Sequence, residues 1–209
     1  ILPKNHNLLL EPGTNIYFSK NSYIYIDGGN LFSIGNSDRI KLLPLENYWK
    51  GIFVKNSISK NGTLKESKII NTDIVGIDFF KHGAIHLTGA INFYDSNVLI
   101  KNSNFSKSFA EDNVNIINSN FIIQDTNFTN CSSDALDLDF SNGNLNNLIF
   151  TNINSDGVDT SGSSVFINNV EFNKIKDKAV SAGEKSLLNI RNFNINDSGV
   201  GLASKDSSI

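Results

Sequence analysis

Two acidic turns stand 22 residues apart: Ser133-Asp134-Ala135-Leu136-Asp137-Leu138-Asp139-Phe140-Ser141, then Ser155-Asp156-Gly157-Val158-Asp159-Thr160-Ser161-Gly162-Ser163. If one repeat of the chain lies on the next, Asp134 stacks on Asp156 and Asp137 on Asp159 at about 4.8 Å, the spacing of neighbouring strands. Like charges that close raise the pKa of one partner or recruit a cation, for which Ca²⁺ with its all-oxygen ligand sphere is the natural choice. Paired carboxylates at that separation can also serve as acid and base in glycoside hydrolysis. The plainer use is structural, because Asp and Ser end strands and satisfy turn backbone groups, and that is the stronger expectation. A ligand-binding patch would draw on Asp137, Asp139, Asp156, Asp159 and Lys178; a catalytic one on Asp134, Asp137, Asp156, Asp159 and Asp177. No metal-ligand set is assigned. His82 and His86, two of three histidines, have no companion carboxylate at metal-site spacing and read as surface residues.

Stacking requires a repeat, and the repeat is there. Phe128, Phe150 and Phe172 recur every 22 residues, with Phe105 23 before and Phe193 21 after. Val165, Leu187 and Ile209 form a second column, and Ala135, Gly157, Ala179 and Gly199 a third. Within 165–180, Val165, Ile167, Val170, Phe172, Ile175, Ala179 and Val180 alternate with polar residues as inward positions of short strands. The run Asn113 to Phe128, rich in Asn and β-branched residues, is poor helix material and good strand material. A single coil of this kind cannot bury its apolar face, so stacking makes the core. The expected fold is all-β: a single-stranded, right-handed parallel β-helix of roughly 22-residue coils, one domain over 1–209, with about nine coils in a rod roughly 45 Å long. Thr129, Thr151 and Asn173, next to the Phe column, suit a polar ladder. The interval from Ile70 to Phe105 exceeds one coil, which puts a lengthened turn at 75–95.

Composition supports this and excludes other classes. With 209 residues, three prolines, fifteen glycines and no compositional break, nothing marks a linker. A net charge of −3 without a basic block leaves no footprint for nucleic acid or an anionic membrane. No apolar run approaches the ~18 residues of a membrane span. The single cysteine, Cys131, excludes an intrachain disulfide and reads as a small buried hydrophobe. Asn-x-Ser/Thr sequons begin at Asn61, Asn104, Asn127, Asn130 and Asn196, as a chain so rich in Asn produces by chance.

Two stretches carry a resemblance. Pro12-Gly13-Thr14, then Gly29-Asn30-Leu31-Phe32-Ser33-Ile34-Gly35, then Trp49-Lys50-Gly51-Ile52-Phe53-Val54 resemble the opening coils of bacterial right-handed β-helix proteins of the pectin-lyase-like kind. Asn154-Ser155-Asp156-Gly157-Val158-Asp159 resembles the N-T-D-G-x-D turn of polygalacturonases, which continue with an Asp pair and a Gly-His-Gly. Here Asp177-Lys178 and Gly199-Val200-Gly201 stand at those places, so Lys replaces one carboxylate and Val the histidine. The resemblance implies the fold and a sugar-related ancestry, while the departures argue against that family's activity. The expected role is a non-catalytic module of a larger extracytoplasmic, surface-type bacterial protein. It would act as a rigid scaffold joined to further coils or domains, with polysaccharide bound along its side and Tyr17, Tyr23, Tyr25, Tyr48, Trp49 and Tyr94 as stacking candidates. The alternatives are a polysaccharide-active hydrolase, lyase or epimerase using the stacked aspartates, and a structural assembly protein. Ser208-Ile209, read in register with Ser164-Val165 and Ser186-Leu187, places the last residue at the start of another coil.

Overall fold

The computed structural model describes residues 1–57 and 66–209; the sequon at Asn61 lies outside them. The chain winds through about eight coils as a parallel β-solenoid with three faces. The first face stacks Leu8–Leu10, Leu31–Ile34, Glu66–Ile70, Asn97–Lys101 and the opening parts of Asn120–Cys131, Asn142–Ile153, Ser164–Gly183 and Leu187–Ser204. The second stacks Asn15–Phe18, Ile40–Pro44, Thr72–Ile77, Asn104–Ser108 and later parts of the same four strands. The third stacks Ile24–Asp27, Ile52–Lys55, Gly89–Tyr94, Asp112–Ile117, Asp134–Asp139, Val158–Ser161 and the ends of the last two. No helix among the described residues is long and apolar enough to cross a membrane.

Inward side chains from the three faces meet in one core. Phe105, Phe128, Phe150 and Phe172 stack face to face with centroids 5.1, 5.0 and 5.0 Å apart and planes within 10°, an arrangement that adds ring–ring attraction to apolar burial. The column continues to Ile195 rather than Phe193: Phe172 pairs with Ile195, and Phe193, opposite Val170, is 45% exposed. Leu188 likewise follows Val165, leaving Leu187 56% exposed. The cause is one extra residue at the corner where Glu184 and Lys185 both take positive φ. A shift of one residue turns every side chain to the opposite face. An irregularity between Ile175 and Lys178 restores the 22-residue interval, so Gly201, not Gly199, continues the Ala135, Gly157, Ala179 column.

Corners explain why the chain is so rich in Asn. Between the first and second faces, Asn71, Asn102, Asp125, Asn147, Asn169 and Asn192 all have φ between 46° and 56°. Lys107, Asn130, Asn152, Lys174 and Asp197, between the second and third, have φ of 58–61°. That left-handed region disfavours most L-residues and is tolerated by Asn and Asp, whose short polar side chains bond locally. Here they also bond vertically: Asn147 Nδ2 donates to Asp125 Oδ1 at 2.6 Å and Asn169 Nδ2 to Asn147 Oδ1 at 3.1 Å. Thr129, Thr151 and Asn173 are in register, and the column carries a ladder bond where Asn196 Nδ2 donates to Asn173 Oδ1 at 3.0 Å; further ladders run through the Asn corners and through serines. At the third corner the amides of Ser96, Ser119, Ser141, Ser163 and Ser186 each donate to the hydroxyl of the serine one coil on, at 2.8–3.2 Å, ending on Ser208. Ser208 thus aligns with Ser186 and Ser163, one position from the alignment expected with Ser164.

The lengthened turn is confined to 78–88, since Val75–Ile77 and Gly89–Tyr94 belong to coil strands. It contains a two-stranded antiparallel hairpin, Lys81–His82 with Ile85–His86. Phe80, fully buried, packs its ring against Tyr23, Tyr25 and Phe53. Lys50 is anchored on Asp78 at 2.8 Å and lies 3.8 Å from the Phe79 ring centroid.

Candidate functional site

The third face collects the polar groups. Its central outward row runs Tyr25, Phe53, Asn92, Asn115, Asp137, Asp159, Ser181, one residue per coil. Two residues further along each strand, Tyr94, Ile117, Asp139 and Ser161 form a second row. Where the chain enters this face, Asp112, Asp134, Asp156 and Lys178 stand in vertical succession. The alternation that points Leu136, Leu138 and Val158 inward is what turns Asp137, Asp139 and Asp159 outward.

Both expected stacks are present: Asp137 pairs in register with Asp159, and Asp134 Oδ1 accepts the Asp156 amide at 2.8 Å. Asp156 Oδ1 in turn accepts the Lys178 amide at 2.9 Å, and Asp159 Oδ1 the Thr160 amide at 2.9 Å. One oxygen of each of these acids is therefore held by a backbone amide. Lys178 Nζ reaches the Asp156 carboxylate at 3.3 and 3.4 Å and also bonds Asp177, whose side chain is about half exposed. Asp134, Asp156 and Asp159 present oxygens within 4.8 Å of one another. Asp177 meets this group only through Lys178.

Burial dominates the electrostatics. It pushes the Asp137 carboxyl up to about 9, with Asp112, Asp139, Asp159 and Asp134 adding repulsion, while Asn115 Nδ2 donates to Asp137 Oδ2 at 2.6 Å. Burial also raises Asp112 to about 7, against the opposing bond from Thr88 Oγ1 at 3.0 Å. Asp134, Asp139 and Asp156 shift upward for the same reason. Tyr94 is driven to about 12 by burial and then by Asp139. Lys178 is raised by its bond with Asp177 and by Asp156. The face thus holds protons at neutral pH that a solvated carboxylate would have lost.

Comparison of the chain with protein-family models and with curated proteins gives no match. The site has to be read from its own geometry.

Some sequence candidates are absorbed by packing. Trp49 is fully buried, stacked on Phe18 at 4.0 Å, and cannot meet a sugar. Tyr23 donates to or accepts from His82 Nδ1 at 2.6 Å, and His86 packs edge-on against Phe79, so the two histidines serve different neighbours. Cys131 is buried and its thiol is pushed up to about 12 by burial. One feature was not foreseen: an open groove of about 740 Å³ at the corner between the second and third faces. It is lined by Phe109, Asn130, Asn152, Asn154, Lys174 and Lys176 among others, just before Asp134, Asp156 and Lys178 in the chain. The signal for it was the polar composition recurring at Ser132, Asn154 and Lys176, which puts no apolar side chain into the corner.

Proposed function

We propose that the chain is a non-catalytic scaffold module of a larger, extracytoplasmic surface protein, a stiff rod that binds a polysaccharide along its side. The observation that carries the glycan part is the corner groove, which spans five successive coils and offers what a sugar chain uses. Amides of Asn130, Asn152 and Asn154 and ammonium groups of Lys174 and Lys176 supply hydrogen bonds, and Phe109, 51% exposed, supplies a ring for stacking. The rod part rests on the unbroken core and the ladders at its corners. The fold is compatible with the finer right-handed, pectin-lyase-like assignment that the opening coils resemble. Affinity electrophoresis through gels containing neutral and acidic polysaccharides tests the reading, with Phe109→Ala/Lys176→Ala alongside. Retardation by one polymer, lost in the double variant, is the expected result. Equal mobility in every gel would overturn glycan binding for those polymers.

One observation favours a second reading, a polysaccharide-active enzyme. A carboxyl held protonated near neutral pH, Asp137, stands in register beside Asp159, as an acid and its partner would. Against it, oxygens of Asp134, Asp156 and Asp159 are committed to backbone amides. Reducing-end release from the polymers that bind, abolished by Asp137→Asn, would favour the enzyme.

A further inference from the structure

We propose that Asp134, Asp156 and Asp159, with the Ser181 hydroxyl, form a Ca²⁺-class divalent-cation site, and that Lys178 is its tethered competitor. The site is separate from the corner groove and independent of glycan binding. Three carboxylates from two successive coils bring oxygens within 4.8 Å of one another, close enough for one ion with bonds of about 2.3–2.6 Å to reach all three with small side-chain rotations. Each acid commits Oδ1 to a backbone amide, which fixes its orientation and leaves Oδ2 for a ligand, that of Asp156 in competition with Lys178 Nζ at 3.4 Å.

A second observation is independent of the acids. Ser181 is 0% exposed, pairs in register with Asp159 on the same outward row, and its Oγ has no hydrogen-bond partner among the described residues. A buried oxygen left without a donor beside carboxylates is costly as it stands, and a desolvated hard cation is the species small enough to satisfy it. A sugar hydroxyl cannot reach atoms closed to water.

Charge balance assigns Lys178 its part. Among the described residues it is the one cation paired with Asp156 and Asp177, and its Nζ divides itself between them. Four acids and one ammonium leave an excess of negative charge that a divalent ion would neutralise. An ion bound to Asp156 must share that carboxylate with Lys178 or displace it toward Asp177.

The test is calorimetric titration of the metal-stripped chain with CaCl₂, with thermal unfolding measured in parallel. Expected are one Ca²⁺ per chain and a higher melting temperature with Ca²⁺ than in EDTA. Asp159→Asn, which keeps the oxygen that accepts the Thr160 amide, should weaken binding by about tenfold or more, and Ser181→Ala by a smaller factor. Lys178→Met should tighten it by about tenfold. Circular dichroism in EDTA shows whether each variant keeps the fold. No binding heat in either the parent chain or Lys178→Met, or unchanged affinity in a folded Asp159→Asn, would overturn the site. Unchanged affinity in Lys178→Met would overturn the role of the lysine.

Discussion

Replacing Asp137 by asparagine should make the protein more stable at neutral pH, by an amount that grows with pH. The folded carboxyl titrates at about 9, whereas in the unfolded chain an aspartate titrates near 3.9. Below about pH 4 both states hold the proton and the group is neutral to stability. As pH rises, the unfolded chain loses its proton while the folded chain keeps it, so unfolding becomes easier by about 1.4 kcal/mol per pH unit until the folded pKa is passed. From about pH 4 to 7 that amounts to about 4 kcal/mol at most, and partial solvent access and shared repulsion with Asp112, Asp139 and Asp159 trim the expectation to about 2–4 kcal/mol. Asparagine has the same shape, cannot ionise, and can still accept the bond from Asn115 Nδ2. Urea unfolding of both proteins in EDTA, at about pH 4.5 and pH 7.5, reads the difference. The variants should agree within about 1 kcal/mol at the lower pH and separate by about 2–4 kcal/mol, asparagine above, at the higher. Parallel stability–pH curves would refute the claim that this face buries a carboxyl it must keep protonated.

Two further substitutions probe the frame that carries the site. Phe150→Ala removes the ring stacked on both Phe128 and Phe172 and should cost about 3–5 kcal/mol in urea unfolding, more than Phe172→Ala, whose ring has one aromatic neighbour. At the exposed corner residue Asn147, φ 56°, Asn147→Gly should change stability by a few tenths of a kcal/mol, whereas Asn147→Val should destabilise by about 1–2 kcal/mol, read by thermal unfolding.

The architecture was legible because Phe128, Phe150 and Phe172 sit where the interval is an undisturbed 22 and where alternation marks the inward side. The same interval brought Asp137 onto Asp159 correctly. It failed at Phe193, Leu187 and Gly199, because a corner can absorb one added residue, here at Glu184–Lys185, without leaving a mark in the hydrophobic pattern. Asn-rich corners were visible as composition, but their reason, a left-handed backbone at the bend, is a matter of dihedral angle rather than of polarity. The involvement of Ser181 was hidden for a different reason. A serine in a strand carries no chemical signal until its neighbours one coil away are known. Likewise Trp49 reads as a surface aromatic only until the inward side of its coil is fixed.

The constant interval between partner strands also governs how such a chain acquires its structure. From Asp112 onward, partners on every face lie 22–23 residues apart, about a tenth of the 209-residue length, a separation that belongs with local rather than global topologies. Any adjacent pair of coils can therefore serve as the starting point, and growth proceeds outward in equal steps, each closing a loop of the same size. Where the hairpin lengthens the step between Asp73 and Asn104 to 31 residues, the added closure entropy is only about 0.3 kcal/mol. Corners are thus the places where a chain of this kind can acquire new sequence at almost no thermodynamic penalty, leaving the order of assembly unchanged.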